Sequence, residues 1–331
     1  MSMCFHICNV MKHQSYENNI FSEQHSRVQM DGKFIGSTYT KALYREFTDE
    51  SFTKEKVRSA HDIHLGVLGP IIKAEIGDII EVVFKNMASR PYSIHPHGLH
   101  YSKTNEGMLY ADGEFNNAGD LVLPGTTYTY RWKVPVSSGP PRFGHNCVNF
   151  MYHSAVDPVR DVYSGLAGPI VVCKRGILAN NGSRIDSVER EFALLFQAFD
   201  ENQSWYLQQN IKEYCPNADT STAEFKESNK YDSINAYIYN NVPGLVAKLG
   251  DNIAWYIMGL GESEDIHTVH FHGHTYTYRT GQRHEGDVIE VFPGTYDTVE
   301  MLATNPGTWL LHCHVGQHAV DGMVASYKII E

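Results

Sequence analysis

A histidine stands on each side of one cysteine in Gly307-Thr-Trp-Leu-Leu-His312-Cys313-His314-Val-Gly-Gln-His318-Ala-Val-Asp-Gly-Met323. A further histidine follows five residues after that cysteine, and a methionine ten after it. Successive side chains of an extended strand point to opposite faces, so Cys313 faces away from His312 and His314. One peptide then offers a thiolate to one metal site and two imidazoles to another. A thiolate, two imidazoles and a weak axial thioether form the ligand set of a blue electron-transfer copper. Cys313, His318 and Met323 supply three of these four groups.

The missing imidazole has a source upstream, in Ile266-His267-Thr-Val-His270-Phe-His272-Gly-His274. His270 and His272 share a strand face, and His267 has the opposite parity. The simplest assignment sends His267 to the thiolate site, and His270 and His272 to a second site with His312 and His314. Structural zinc sites usually recruit several cysteines; a single cysteine among seven histidines in two clusters does not fit that pattern. The first half carries its own pair, His95 and His97, with the same spacing, and a segment Tyr152-His153-Ser-Ala155 that matches His312-Cys313-His314 at only one of its two histidines. That first half offers no cysteine, histidine and methionine set of its own.

The elements that must position these residues are strands. The chain has 331 residues, 42% hydrophobic and 20% charged, with 20 tyrosines and 15 phenylalanines; that length suits two domains of about 150 residues each. A net charge of −11 argues against a nucleic-acid partner, and no apolar run reaches the roughly 18 residues of a membrane span. Six cysteines are too few for a dense disulfide scaffold. Cys147 and Cys173 flank one strand unit and can bridge its ends, whereas Cys4, Cys8 and Cys215 have no evident role. The sequons Asn181-Gly-Ser183 and Asn202-Gln-Ser204 suit a secreted glycoprotein. The N-terminus does not read as a signal peptide, which predicts a missing start or a fragment of a longer chain.

Residues 1–30 are polar, without periodicity, and are expected to be a disordered lead-in. From Gly36 onward, short apolar runs are broken by Gly and Pro. Leu65 to Phe84 reads as two strands around a Gly77-Asp78 turn, and Tyr128 to Val134 alternates as a half-buried strand. The second half repeats the order of the first. Gly77-Asp78 is echoed by Gly250-Asp251, His97-Gly98 by His272-Gly273, and Pro124-Gly-Thr by Pro293-Gly-Thr. Two homologous all-β units follow, a first over 31–176 and a second over 190–331, each a sandwich or barrel. Helices are expected only as short turns near Val315–His318 and Asp157–Ser164.

The chain resembles the ceruloplasmin and hephaestin family of multicopper oxidases from about Gly36 to Glu331. Tyr44-Arg-Glu-Phe-Thr-Asp, Gly66-Val-Leu-Gly-Pro, Ser89-Arg-Pro-Tyr-Ser-Ile-His and Tyr163-Ser-Gly-Leu-Ala-Gly-Pro carry the likeness in the first half; Glu191-Phe-Ala-Leu-Leu-Phe and Phe199-Asp-Glu-Asn-Gln-Ser-Trp205-Tyr carry it into the second. The resemblance implies two cupredoxin-like Greek-key domains and copper of types 1, 2 and 3. It implies a type 1 copper at His267, Cys313, His318 and Met323, with electrons passing through Cys313 to His312 and His314. It also implies a three-copper cluster that reduces O2 to water, built from eight histidines. His95, His97, His153, His270, His272, His312 and His314 match seven of them, and Ala155 occupies the eighth position. The family's iron site is matched by Glu227; Asp232 stands where that site has a histidine, and Gln317 where it has an aspartate. The expected activity is that of an extracellular ferroxidase in iron transport. A non-enzymatic module with the type 1 copper alone (favoured by Ala155) and a laccase-like oxidase of organic reductants (favoured by Gln317) are the alternatives. The expected partners are Fe(II) or another small reductant and O2, in a homotrimer or as part of a six-domain chain.

Overall fold

The computed structural model describes residues 2–15, 32–110, 117–262, 265–279 and 283–331. Its first half contains β1 (Ser2–Ser15), β2 (Thr38–Phe47), β3 (Ile72–Glu75), β4 (Ile79–Asn86), β5 (His95–Pro96), β6 (Thr127–Lys133), β7 (Cys147–His153) and β8 (Ala167–Cys173). Its second half contains β9 (Arg190–Asp200), β10 (Lys230–Ile234), β11 (Val246–Lys248), β12 (Asn252–Gly259), β13 (His267–Phe271), β14 (Tyr276–Arg279), β15 (Arg283–Gly286), β16 (Val288–Val291), β17 (Tyr296–Leu302), β18 (Gly307–Cys313) and β19 (Val324–Ile330). Short helices α1 (Pro158–Tyr163), α2 (Leu207–Tyr214), α3 (Ala223–Glu227) and α4 (Gly316–Val320) interrupt them. The two-turn α2 is an addition to the short turns expected from the sequence.

The fold is all-β, and its repeat is visible in the strand order. The first half forms sheets β2-β1-β4-β6 and β3-β8-β7-β5; the second forms β10-β9-β12-β17 extended by β14-β15, and β11-β19-β18-β13 extended by β16. In both halves the Gly-Asp turn hands the chain from one sheet to the other. The Asp78 carboxylate accepts the Glu75 N–H at 3.0 Å, and Asp251 accepts the Lys248 N–H at 2.8 Å. These side-chain turns end one strand and fix the start of the next.

The lead-in expected to be disordered requires correction over Ser2–Ser15. β1 runs parallel to β4 and antiparallel to β2, as β9 runs parallel to β12 and antiparallel to β10. Phe5 and Ile7 belong to the first-half core while Cys8 packs with Phe47 and Phe52. This alternation is masked in the sequence by the polar residues between. Residues 16–30 lie outside the described residues.

Each half has its own core, centred on Trp132 with Tyr130 and on Trp255 with Phe271. A third core joins them. Met151 and Val171 of β7 and β8 pack with Ala193, Leu195, Tyr256 and Met258 of β9 and β12. Covered on both faces, β8 is buried at all seven positions, so its sequence is a continuous apolar run instead of an alternating one.

Cys147 and Cys173 face each other across β7 and β8 and form a disulfide closing 26 residues of chain. Replacing both with serine is expected to lower stability by about 3 kcal/mol through the larger entropy of the unfolded chain. A lower urea midpoint, with a slope as steep or steeper because the unbridged unfolded chain is more expanded, checks this.

Just after β7, α1 is capped by Asp157, which accepts the Arg160 N–H at 3.1 Å. Asp161, buried within this helix, accepts from Ser154 Oγ at 2.6 Å, from the Val156 and Asp157 N–H groups, and from Trp205 Nε1 at 2.9 Å. Burial pushes its carboxyl up to about 6 against those donors. The folded state therefore binds the proton that an unfolded aspartate has released. Its contribution to stability is full below the unfolded value of 3.8 and falls by about 2 kcal/mol between pH 4 and pH 6, as the folded carboxyl begins to ionise. Urea unfolding at both pH values should show this loss, and Asp161→Asn should remove it.

Candidate metal centres

The ends of β13 and β18 lie side by side, with Val269 opposite Cys313 and His270 opposite His312. Along β13, His267, Val269 and Phe271 point into the core, while Thr268 and His270 point outward. Along β18, Leu311 and Cys313 point in and His312 points out. The chain then turns through α4, which returns His318 toward the strand. The Cys313 N–H donates to Met323 O at 3.0 Å and the Met323 N–H donates to His318 O at 2.9 Å. These bonds close the loop and bring the buried Met323 back beside the cysteine.

His267 Nδ1 and His318 Nδ1 are 3.1 Å apart, and Cys313 Sγ lies 3.8 and 3.7 Å from them. Cys313 and His267 are fully buried. On the far side of the His267 ring, Nε2 is 3.3 Å from Asp265 Oδ1, a charge contact rather than an aligned hydrogen bond. Asp265 is itself fixed by the Ala198 and Glu262 N–H groups, both at 2.8 Å. Burial pushes the Cys313 thiol up, but the two imidazoles and neighbouring backbone N–H groups outweigh it and bring it to about 6. Burial likewise pulls His267 down, and Asp265 and Cys313 outweigh it, bringing it to about 9. One sulfur and two imidazole nitrogens at this separation, with the buried Met323 tied to the same loop by its backbone, fit a copper ion of the electron-transfer kind.

His270, His272 and His312 form a second group, whose ligand nitrogens all lie within 4.8 Å of one another. His272 Nε2 is 3.1 Å from His312 Nε2, and the exposed His314 ring lies 5.5 Å from those of His270 and His312. His270 Nδ1 donates to Asp287 O at 3.0 Å and His312 Nδ1 donates to Cys313 O at 2.8 Å. Because a carbonyl can only accept, these contacts fix the tautomer and leave each Nε2 as the free lone pair.

The first half repeats this arrangement. His95 lies opposite His153 on β5 and β7, as His270 does opposite His312. His97 Nε2 is 3.0 Å from His153 Nε2, and the Nδ1 atoms of His95 and His153 donate to Glu106 O and Ser154 O at 2.7 and 2.8 Å. Gly98 and Gly273 both follow the second histidine with φ near +72°, and a Cβ there would strike Phe150 or Trp309. In this register Ala155 stands in the place of His314. Its N–H donates to Ser93 Oγ at 3.0 Å where the His314 N–H donates to Thr268 O at 2.7 Å. Ser154 stands in the place of Cys313. Among the described residues, ring contacts join His95, His97 and His153, and join His270, His272, His312 and His314, but none joins the two sets.

The expected acidic pair is not brought together in the same way. Asp232 on β10 is raised by burial and interacts with His318, Asp321 and His267. Glu227 is half exposed and pairs with Lys230 at 3.3 Å. Gln317 Nε2 donates to Asp321 Oδ2 at 2.6 Å. Asp265 and Asp321 are the residues that sequence reasoning missed. Asp265 shares the inward parity of His267, and Asp321 lies one helical turn beyond His318; both spacings are readable once a metal site is posited.

A multicopper oxidase family model matches residues 48–176 and a second matches residues 210–331. Mouse hephaestin is 46% identical over 321 residues, covering 95% of this chain and 27% of the relative. Mouse ceruloplasmin is 44% identical over 325 residues, covering 96% and 28%. The chain thus spans about a quarter of the length of these relatives. A solved copper nitrite reductase from Nitrosomonas europaea superposes with a TM-score of 0.65 at 16% identity, over 100% of this chain and 95% of that one, a likeness of fold. Copper is the metal the family implies, and the chain belongs to the multicopper oxidases.

Proposed function

We propose that this chain supplies the reductant-oxidising and dioxygen-reducing sites of a ferroxidase. The reaction converts four ferrous ions, one O2 and four protons into four ferric ions and two waters. The observation that carries this reading is the adjacency of Cys313, in the buried thiolate site, to His312 in the imidazole site. His267, Cys313, His318 and Met323 would hold a type 1 copper. His270, His272, His312 and His314 would hold half of a cluster of type 2 and type 3 copper, and His95, His97 and His153 part of the other half. Copper bound there supplies one-electron transfer at the first site and dioxygen reduction at the second. The chain's own carbonyls hold His270, His312, His95 and His153 by their Nδ1–H groups, and Asp232, with Asp321 beside it, offers hard oxygen donors for Fe(II) at the His318 edge. Glu227 would join them if its ion pair with Lys230 opened. Residues 31–176 and 190–331, with β1 added to the first, are read as two cupredoxin domains on the extracellular side of a cell.

Completion of the cluster requires a partner face, because the two imidazole sets do not meet within the chain. Three copies in a ring, or further domains of a longer chain, would supply it. Ala155 favours a second reading, a type 1 copper module without a working cluster.

Cys313→Ser is expected to abolish the intense visible absorption of the copper-loaded protein and reduce Fe(II)-dependent O2 uptake to background. The melting temperature should change little. Uptake at the parent rate would place the electron entry elsewhere.

Light scattering of the copper-loaded protein is expected to show an assembly of three chains if this chain forms the cluster by itself. In that assembly Ala155→His should raise the copper bound per chain and the rate of O2 uptake, at a packing cost of about 1–3 kcal/mol at this fully buried position. A folded variant with no gain in copper would favour the module reading.

A further inference from the structure

We infer that the cavity between the β1–β2 edge and the 180–183 turn binds a small organic anion, one with an oxyanion head and a short apolar body. The cavity encloses about 420 Å³, within the size range of small-molecule sites. Although the chain carries a net charge of −11, this cavity is lined by four cationic side chains and two carboxylates. Cations outnumber carboxylates in that lining, so what decides its preference is how far each cation is already neutralised.

The cations are unequally neutralised. Lys56 pairs with Glu46 at 2.9 Å, and Lys73 pairs with Glu191. Arg45 reaches Glu55 only at 3.7 Å. Arg58 donates to the carbonyls of Gly66, at 2.7 Å, and Leu68; among the described residues no carboxylate lies within ion-pair distance of it. These carbonyls satisfy its hydrogen bonds, and Asp62 and Glu55 act on its charge only from beyond ion-pair distance. Arg45 and Arg58 also repel each other: the Arg45 guanidinium is pulled down to about 10, first by burial and then by the Arg58 charge. An oxyanion between them would relieve that repulsion and accept paired N–H donors in the manner guanidinium groups favour. Met3, Phe5, Leu65 and Ile71 supply an apolar wall, so a bare inorganic ion would leave much of the cavity unfilled.

Calorimetric titration of the whole chain with phenyl phosphate, benzoate and benzyl alcohol tests the assignment. Saturable binding of at least one of the two anions, one per chain, is expected, weakening with added salt, with benzyl alcohol at least about tenfold weaker. Val57 lies on the rim and is 88% exposed, so Val57→Asp should leave the fold intact while weakening the anion about tenfold. Arg58→Gln should weaken it further; if that variant loses stability, the rim variant still decides. The anion affinity should be unchanged in Cys313→Ser, which separates this cavity from the copper sites. No saturable binding of either anion at millimolar concentration, or binding unaffected by Val57→Asp, would overturn the inference.

Discussion

The geometry of this protein depends on the two-residue period of a β-strand. Where β18 ends, that period forces Cys313 inward and His312 outward, so a single backbone serves a buried sulfur site and a half-buried imidazole site at once. Any one-residue slip of β18 against β13 would exchange the two faces. The register is held by the bonds around that strand end. Cys313 donates to Met323 O, and His314 donates to Thr268 O. The loop that carries His318 and Met323 is thus tied to the strand it must face. Placing a metal-ready donor set in a fully buried position is costly for the thiolate, and the imidazoles with Asp265 behind them offset that cost.

The first half shows what the same frame holds when the sulfur is absent. Ser154 occupies the place of Cys313, and its hydroxyl goes to Asp161 instead of to a metal. Asp161 gathers the N–H groups of the following turn and the indole of Trp205, and that indole lies between the guanidinium groups of Arg90 and Arg160, 3.7 and 3.6 Å from its ring centre. A buried polar site must have its groups satisfied by something. In one half the donor set suits a metal ion, and in the other a carboxylate network occupies the equivalent position. The outward histidines persist in both halves because they sit on the opposite strand face, independent of what fills the interior.

The donor residues are legible in the sequence for that same reason: parity along a strand depends on spacing alone, and His267, His270, His272, His312, Cys313 and His314 all sit on or beside two strands. The repeat is legible too, since its turns need particular residues, Gly77-Asp78 and Gly250-Asp251 among them. β1 was hidden because its apolar positions, Met3, Phe5, Ile7, Val10 and Met11, break their alternation after Ile7 and lie among His, Asn and Cys; its place is set by pairing with a strand some seventy residues later. Asp161 is silent in sequence, and Asp265 shows only its parity with His267. Each acts by collecting backbone N–H groups or facing a ring, and both roles exist only once the chain has folded around them.

The seam between the halves constrains how the imidazole sets can be completed. Because the third core joins β7 and β8 to β9 and β12, the first set cannot swing toward the second without breaking apolar packing. One side of that first set is already closed by its own chain. Tyr296 of β17 lies with its ring centre 5.6 Å from that of His97 and 6.3 Å from that of Phe150. His95, on the other side, meets Tyr101 at 5.9 Å. Tyr296 and Tyr101 thus flank the set of His95, His97 and His153 on two sides. An isolated half would have no such wall beside His97, so the second half shapes the first half's site without contributing a histidine to it.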